Sequence, residues 1–325
     1  MTAVGIAPSA PQGAADRQLS FDRKRGGRHV ALSSPGFLVG LVGSGIGPSL
    51  SPPLHEREAE ELGVRYLYRR LDLDRLQMPP TAVGELLAAV RLAGYDGLNI
   101  THPCKQVVLE HLDELSPAAA ELGAVNTVVL RGGRAIGHNT DWSGFAHAFD
   151  RGLPDVARDR VVLLGAGGAG SAVAHALLTC GVGHLTVLDV NAQRAGAVAA
   201  AVSSRFGAGR ASGGDLTGLP QAMASADGLV HATPTGMAAH PGLPLPAELL
   251  QPRMWVADVV YRPLQTQLVR TAAALGCRVL DGGGMAVFQA VDSFRLFTGL
   301  EPDAGRMLAH FAELVERSAG DVSVD

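Results

Sequence analysis

The chain has 325 residues, 47% of them hydrophobic and 18% charged, with a formal net charge of −4. That length suits one large domain or two ordinary ones, and the mildly acidic balance gives no basic field for nucleic acid or an anionic membrane. Cys104, Cys180 and Cys277 form an odd, scattered set that fits neither a disulfide framework nor a zinc spacing, so a reducing, cytoplasmic setting is expected.

Residues 1–35 are rich in Ala, Gly, Pro and Ser and lack the apolar centre of a signal peptide. A flexible tail is expected there. Its basic cluster, Arg23, Lys24, Arg25 and Arg28, reads as a solvated charge run, with an anion patch as the alternative. No apolar run approaches the ~18 residues that span a bilayer. Residues 37–42 predict a buried strand, 54–62 a helix after a loop, 66–71 a strand, 82–93 a helix and 97–101 a strand. Pro103 suits the first turn of a following helix.

A second series begins near Arg160. The apolar run 161–164 enters a glycine turn, 172–178 predicts a helix, 185–188 a strand and 191–201 a helix. Further strands are expected at 228–231, 255–260 and 278–280, and helices at 285–297 and 302–316. Strands alternating with helices argue for an α/β fold with helices on both sheet faces.

In the glycine turn, Gly165, Gly167 and Gly170 match G-x-G-x-x-G, with Ala166, Gly168 and Ala169 between them. The first glycine permits the tight turn, the second lets backbone approach a pyrophosphate, and the third lets helix and strand pack closely. Unpaired N–H groups at the helix start favour the phosphates. Asp189 stands 24 residues after Gly165, at the end of the next strand. A carboxylate there can accept hydrogen bonds from both ribose hydroxyls of NAD and would repel the 2′-phosphate of NADP; capping the following helix is its other possible role. Val190 offers no cation, and Arg194 can stack on adenine or face solvent.

Five further polar patches stand out: Ser49-Leu50-Ser51-Pro52, the segment Asn99-Ile100-Thr101-His102-Pro103-Cys104-Lys105, Gly123-Ala124-Val125-Asn126-Thr127, Asn139-Thr140-Asp141, and MAVFQA at 285–290. With the glycine turn, this ordered set resembles the shikimate dehydrogenase family over residues 36–314. The resemblance implies two α/β domains separated by a cleft. Residues 36–141 plus 286–320 would hold the substrate, and 142–285 would form a Rossmann-type NAD domain. It makes Lys105 and Asp141 the catalytic pair. Ser49, Ser51, Thr101, Asn126, Tyr261 and Gln289 would hold the hydroxyls and carboxylate of a quinate- or shikimate-type acid. Thr233, Val260, Gly284 and Met285 would join the glycine turn, Asp189 and Arg194 around NAD. The implied reaction moves a hydride between NAD and the ring C3 hydroxyl, giving 3-dehydroquinate or 3-dehydroshikimate, in a monomer or homodimer.

The residue types suit that chemistry. Alcohol oxidation needs a base for the hydroxyl proton, and lysine serves when its surroundings stabilise the neutral amine. Neutral donors and acceptors suit a polyol without a large desolvation cost. Taken alone, Lys105 would be a surface lysine and Asp141 a helix cap. His102 reads as packing or surface, and His55 and His138 as local hydrogen-bonding residues. Cys104 is not needed as a nucleophile, and no metal spacing occurs.

Two departures from the family pattern bear on the cofactor. NADP-dependent members carry Asn-Arg-Thr where this chain has Asp189, Val190 and Asn191, which resembles the NAD-using quinate/shikimate branch. His231 stands where the family commonly has asparagine. A family member acting on an aminoquinate or aminoshikimate, and a non-catalytic metabolite sensor, are the alternative readings.

Overall fold

A computed structural model describes residues 35–321; Arg23, Lys24, Arg25, Arg28 and nearly all of the expected tail lie outside them. The described chain builds two six-stranded sheets. The first contains β1 (Gly36–Gly43), β2 (Arg65–Asp72), β3 (Gly97–Ile100), β4 (Glu114–Leu115), β5 (Thr127–Arg131) and β6 (Arg134–His138), in the order β2-β1-β3-β5-β6-β4. The second contains β7 (Arg160–Leu164), β8 (His184–Leu188), β9 (Ala211–Gly214), β10 (Gly228–His231), β11 (Trp255–Asp258) and β12 (Arg278–Leu280), in the order β12-β11-β10-β7-β8-β9. All pairings in the second sheet are parallel. Its central strands are continuous apolar runs because helices cover both faces.

The first sheet is mixed. β1, β2 and β3 pair in parallel, whereas β5 runs antiparallel to β3 and β6. The β5–β6 hairpin closes on Gly132 and Gly133, at φ +59° and +76°. A two-residue turn matching the strand twist needs positive φ at both positions, which glycine adopts without a Cβ clash.

Two expectations are corrected at helix starts. The helix Ser51–Glu61 begins before residue 54, because Pro52 and Pro53 sit in its first turn, where no amide hydrogen is required. No helix begins at Pro103. Cys104 N–H closes a turn on Thr101 C=O, and Lys105 C=O is taken by Val125 N–H at 2.8 Å instead of a helical neighbour. Only a short 3-10 turn follows, at Val107–His111.

The helices Asp141–Gly152 and Gly283–Thr298 pack on each other between the sheets. Phe145 and Phe149 enter the core of the second sheet, while Phe294 and Phe297 lie under the first. A Cβ at Gly144 would stand 2.7 Å from Gln289 N, so the helices approach only because Gly144 has none. No described helix is long and apolar enough to cross a membrane.

Candidate active site

Lys105 lies in the turn after β3, and Asp141 is the first residue of the helix Asp141–Gly152. Lys105 Nζ stands 2.5 Å from Asp141 Oδ2, with the lysine side chain 20% exposed and the carboxylate 9%. The other oxygen, Oδ1, accepts one hydrogen of the Asn126 amide at 2.9 Å. The second hydrogen of that amide goes to Thr140 Oγ1 at 2.9 Å, and its carbonyl accepts Thr140 N–H at 2.7 Å. Asn126 is therefore wholly engaged with the residues around Asp141, and a substrate hydroxyl would have to exchange one of these bonds. Asp141 does not cap its own helix. Asn139 Oδ1 accepts the N–H groups of Asp141 and Trp142, at 3.1 and 3.4 Å.

Behind Asn126 runs a chain whose roles the sequence did not reveal. The Tyr68 hydroxyl donates to Asn99 Oδ1 at 2.5 Å, and Asn99 Nδ2 donates to Thr127 Oγ1 at 3.1 Å. Thr127 donates to Asn126 Oδ1 at 3.2 Å. Burial pushes the Tyr68 phenol well above its ordinary pKa, so it remains a donor. Asn99 lies within one of the motifs read from the sequence, yet Tyr68, buried on β2 beside it, carried no local signal.

Of the remaining substrate candidates, Gln289 is hydrogen-bonded to this network. Gln289 shares the site through its backbone, whose carbonyl accepts Thr140 Oγ1 at 3.1 Å; its own amide donates to Ala286 C=O. Thr101 is partly exposed, with its methyl against Gly43. Ser49 and Ser51 are partly exposed at the helix start, and Ser49 Oγ accepts Ser51 N–H at 3.3 Å. Arg262, from the loop after β11, donates to Pro48 C=O and so ties that loop to the serine loop. Tyr261 packs against Phe311 and borders a cavity of about 430 Å³ with Leu50, Met237 and Arg270. Burial raises its phenol pKa, which keeps it a neutral donor.

The strand order of the second sheet reverses between β7 and β10, and ligands bind such folds at the carboxyl ends of the strands flanking that switch point. Gly165 follows β7 at φ +105°, and a Cβ there would stand 2.5 Å from Ala232 O. A Cβ at Gly170 would reach 2.0 Å from Gly165 O. Both positions therefore require glycine, and with Ala166, Gly167 and Ala169 the turn opens the helix Gly168–Thr179, whose first N–H groups suit a pyrophosphate. A Cβ at Gly168 would lie 3.9 Å from Lys105 Cδ, so the glycine turn sits against the lysine. The crevice fits the cofactor on these contacts.

Asp189 is buried at the end of β8. Its Oδ2 accepts Ala166 N–H at 2.8 Å, and its Oδ1 accepts Asn191 N–H at 2.8 Å and Arg194 Nη2 at 3.2 Å. Burial pushes its pKa up, but the Asn191 and Ala166 amides and Arg194 outweigh burial and hold it below the usual carboxylate range. Helix capping falls to Asn191, which accepts Arg194 N–H. Val190 is 81% exposed, so position 190 faces solvent without a charge. Thr233 is partly exposed beside Gly165, Val260 is buried after β11, and Gly284 and Met285 sit in the first turn of the helix Gly283–Thr298.

His102 is exposed, His138 is partly buried, and His55 is buried with Nδ1 3.2 Å from the Tyr66 hydroxyl. Burial raises the Cys104 thiol pKa, which disfavours a thiolate. Among the described residues no group of three or more His, Cys, Asp or Glu could hold a metal.

Residues 41–128 match a family model described as the shikimate dehydrogenase substrate binding domain. Residues 140–192, spanning β7, the glycine turn and β8, match the ThiF family. The chain is 65% identical over 288 residues to a shikimate dehydrogenase (NADP(+)) of Streptomyces avermitilis, covering 89% of this chain and 99% of that protein. It is 51% identical over 284 residues to a quinate/shikimate dehydrogenase (NAD(+)) of Corynebacterium efficiens, covering 87% and 100%. A solved structure of quinate dehydrogenase from Corynebacterium glutamicum in complex with NAD is similar at a TM-score of 0.81 and 47% identity, covering 86% and 99%.

Proposed function

The chain belongs to the shikimate dehydrogenase family and is an oxidoreductase of shikimate or quinate type using a nicotinamide dinucleotide; we propose that it oxidises the ring C3 hydroxyl of quinate or shikimate with NAD, using Lys105 and Asp141. The observation that carries the reading is the Lys105–Asp141 contact at 2.5 Å, with Gly168 of the dinucleotide turn against the same lysine. Residues 36–141 with 286–320 would hold the acid, and residues 142–285 the dinucleotide.

When bound, the nicotinamide supplies the hydride acceptor. The neutral amine of Lys105 takes the proton of the reacting hydroxyl, and its partial exposure lets it pass a proton to water at the cleft mouth. In the reverse direction the ammonium donates. Asp141 holds Nζ toward the hydroxyl, and Asn126 and Thr140 keep the carboxylate from rotating away. Ser49, Ser51, Thr101, Gln289 and Tyr261 supply the neutral partners for the remaining hydroxyls and the carboxylate.

NAD preference is supported by Asp189, which keeps one open acceptor position on Oδ2 and gains a second on Oδ1 when Arg194 turns away, enough for both ribose hydroxyls, and by the uncharged Val190. NADP is the second reading. Arg194 is 57% exposed on its side chain and only 3.2 Å from Asp189, so it could turn outward toward a 2′-phosphate. The NADP(+) name of the Streptomyces relative supports the same reading. Purified enzyme tested on quinate, shikimate and their amino analogues with each dinucleotide, by absorbance of the reduced cofactor, decides among these. NAD reduction with quinate or shikimate is expected. Preference for NADP would replace the cofactor assignment, and turnover of an amino analogue alone would replace the substrate.

A further inference from the structure

A buried polar chain lies beneath the dinucleotide crevice, and the reaction as described leaves it unused. His231 ends β10 and Asp258 ends β11, and the two are direct partners in the parallel register. Both side chains are fully buried. His231 Nδ1 lies 2.9 Å from Asp258 Oδ1, and a carboxylate only accepts, so the ring hydrogen sits on Nδ1. In the neutral ring, that tautomer leaves a lone pair on Nε2, 2.5 Å from Thr233 Oγ1, into which the hydroxyl can donate.

The consequence falls on the threonine. With its hydrogen committed to His231, Thr233 Oγ1 can only accept. One lone pair takes Thr235 N–H at 3.3 Å, and the other remains for a ligand. Thr233 is partly exposed, and its methyl would stand 3.0 Å from a Cβ at Gly165, so it lies at the switch point. On the far side, Asp258 also accepts Val260 N–H at 3.0 Å and the Thr266 hydroxyl at 2.7 Å. The same carboxylate thus fixes the segment that carries Tyr261.

We propose that His231 is a positioning residue for the dinucleotide: held by Asp258, it takes the Thr233 hydrogen and makes Thr233 Oγ1 an acceptor for an N–H or O–H donor of the bound cofactor. The proposal rests on the assignment of Thr233 to the cofactor site. Through Asp258, the arrangement also ties the cofactor-facing loop to the substrate-facing one.

The test is titration of the full-length enzyme with NADH by fluorescence, beside melting temperature and the KM for the acid. His231→Asn keeps a donor for Asp258 but is too short to reach Thr233, and Thr233→Val removes the hydroxyl without changing shape. Each is expected to weaken NADH binding ~3–10-fold, the size of one neutral hydrogen bond. The double variant should be no weaker than Thr233→Val alone, and Thr233→Ser should restore binding. Removing a buried hydrogen-bond partner is expected to lower the melting temperature, but the KM for the acid should stay near wild type, which a general loosening of the fold would not allow. If Thr233→Val weakens binding and His231→Asn does not, or if the two losses multiply, the positioning role fails while the cofactor assignment stands. Normal binding by Thr233→Val removes both. A wild-type enzyme that does not bind NADH overturns the underlying reading itself.

Discussion

The proposed catalytic pair and the proposed ribose-facing pair are both acid–base contacts, yet they are built differently. Lys105–Asp141 is backed by Asn126, Thr140 and Asn139, each engaged on several sides and nearly all buried. Asp189–Arg194 has a braced carboxylate, but its arginine is on the surface and its neighbour Val190 is exposed. On the proposed assignment, the difference teaches that the chemistry is fixed by a network, whereas cofactor choice hangs on a few side chains that can be exchanged without disturbing a core. Relatives named for NAD and for NADP, both more than half identical to this chain, fit that division.

The sharpest break of the catalytic side is Lys105→Ala. Loss of a general base typically costs ~10²–10⁴-fold in turnover, while NADH affinity should remain within a few-fold of wild type; steady-state kinetics and titration check the two together. Near-normal turnover would remove Lys105 as the proton acceptor.

The next effect is expected at Asp189. Hydrogen bonds to a charged acceptor contribute ~1.5–3 kcal/mol, so Asp189→Asn should lower kcat/KM with NAD by ~10-fold or more and raise the NADP value by removing the repulsion of the 2′-phosphate. Arg194→Ala should lower only the NADP value. Equal losses with both dinucleotides would mean that Asp189 merely braces the Ala166 turn.

Asn126→Ala tests whether the network matters. It leaves the buried oxygen Oδ1 of Asp141 without its amide partner, at ~1–3 kcal/mol of stability, and should lower kcat more than it raises KM. A variant that loses stability but keeps kcat would show a structural brace with no part in aligning Asp141.

The effect furthest from the site is on acid stability, and it leaves turnover at neutral pH untouched. Burial lowers the pKa of His55 from its ordinary value to about 3. Because the folded value lies below the unfolded one, the stability from a neutral His55 is complete above pH ~6.5. It is lost as pH falls toward 3, at ~1.4 kcal/mol per pH unit. His55→Phe, set among Tyr66, Tyr68, Phe294 and Phe297, should flatten that slope in denaturation series between pH 6 and 4. An unchanged slope would place the acid sensitivity elsewhere.

Much of this was legible in the residues. The alternation of strands and helices marked the α/β class, and the glycine turn marked the crevice because Gly165 and Gly170 leave no room for a Cβ. The β5–β6 hairpin was missed although Gly132-Gly133 between two apolar stretches is a turn signal. β9, Ala-Ser-Gly-Gly, has no apolar side chain larger than alanine to announce it. At the site, Lys105 and Asp141 were found through their motifs, but the commitment of Asn126 to Asp141 and the Tyr68–Asn99 chain depend on contacts 14 to 31 residues apart in sequence. His231 was visible only as a departure, since its meaning required the β10–β11 register that faces it with Asp258.

The central claim is direct hydride transfer from the ring carbon that bears the hydroxyl, with Lys105 handling only the proton. Its most direct test uses quinate or shikimate deuterated at C3 with NAD, followed by mass analysis of the reduced cofactor. One deuterium is expected in each NADH formed, together with a primary isotope effect on single-turnover reduction. Unlabelled NADH, or oxidation at another ring position with the C3 label retained in the acid, would contradict it.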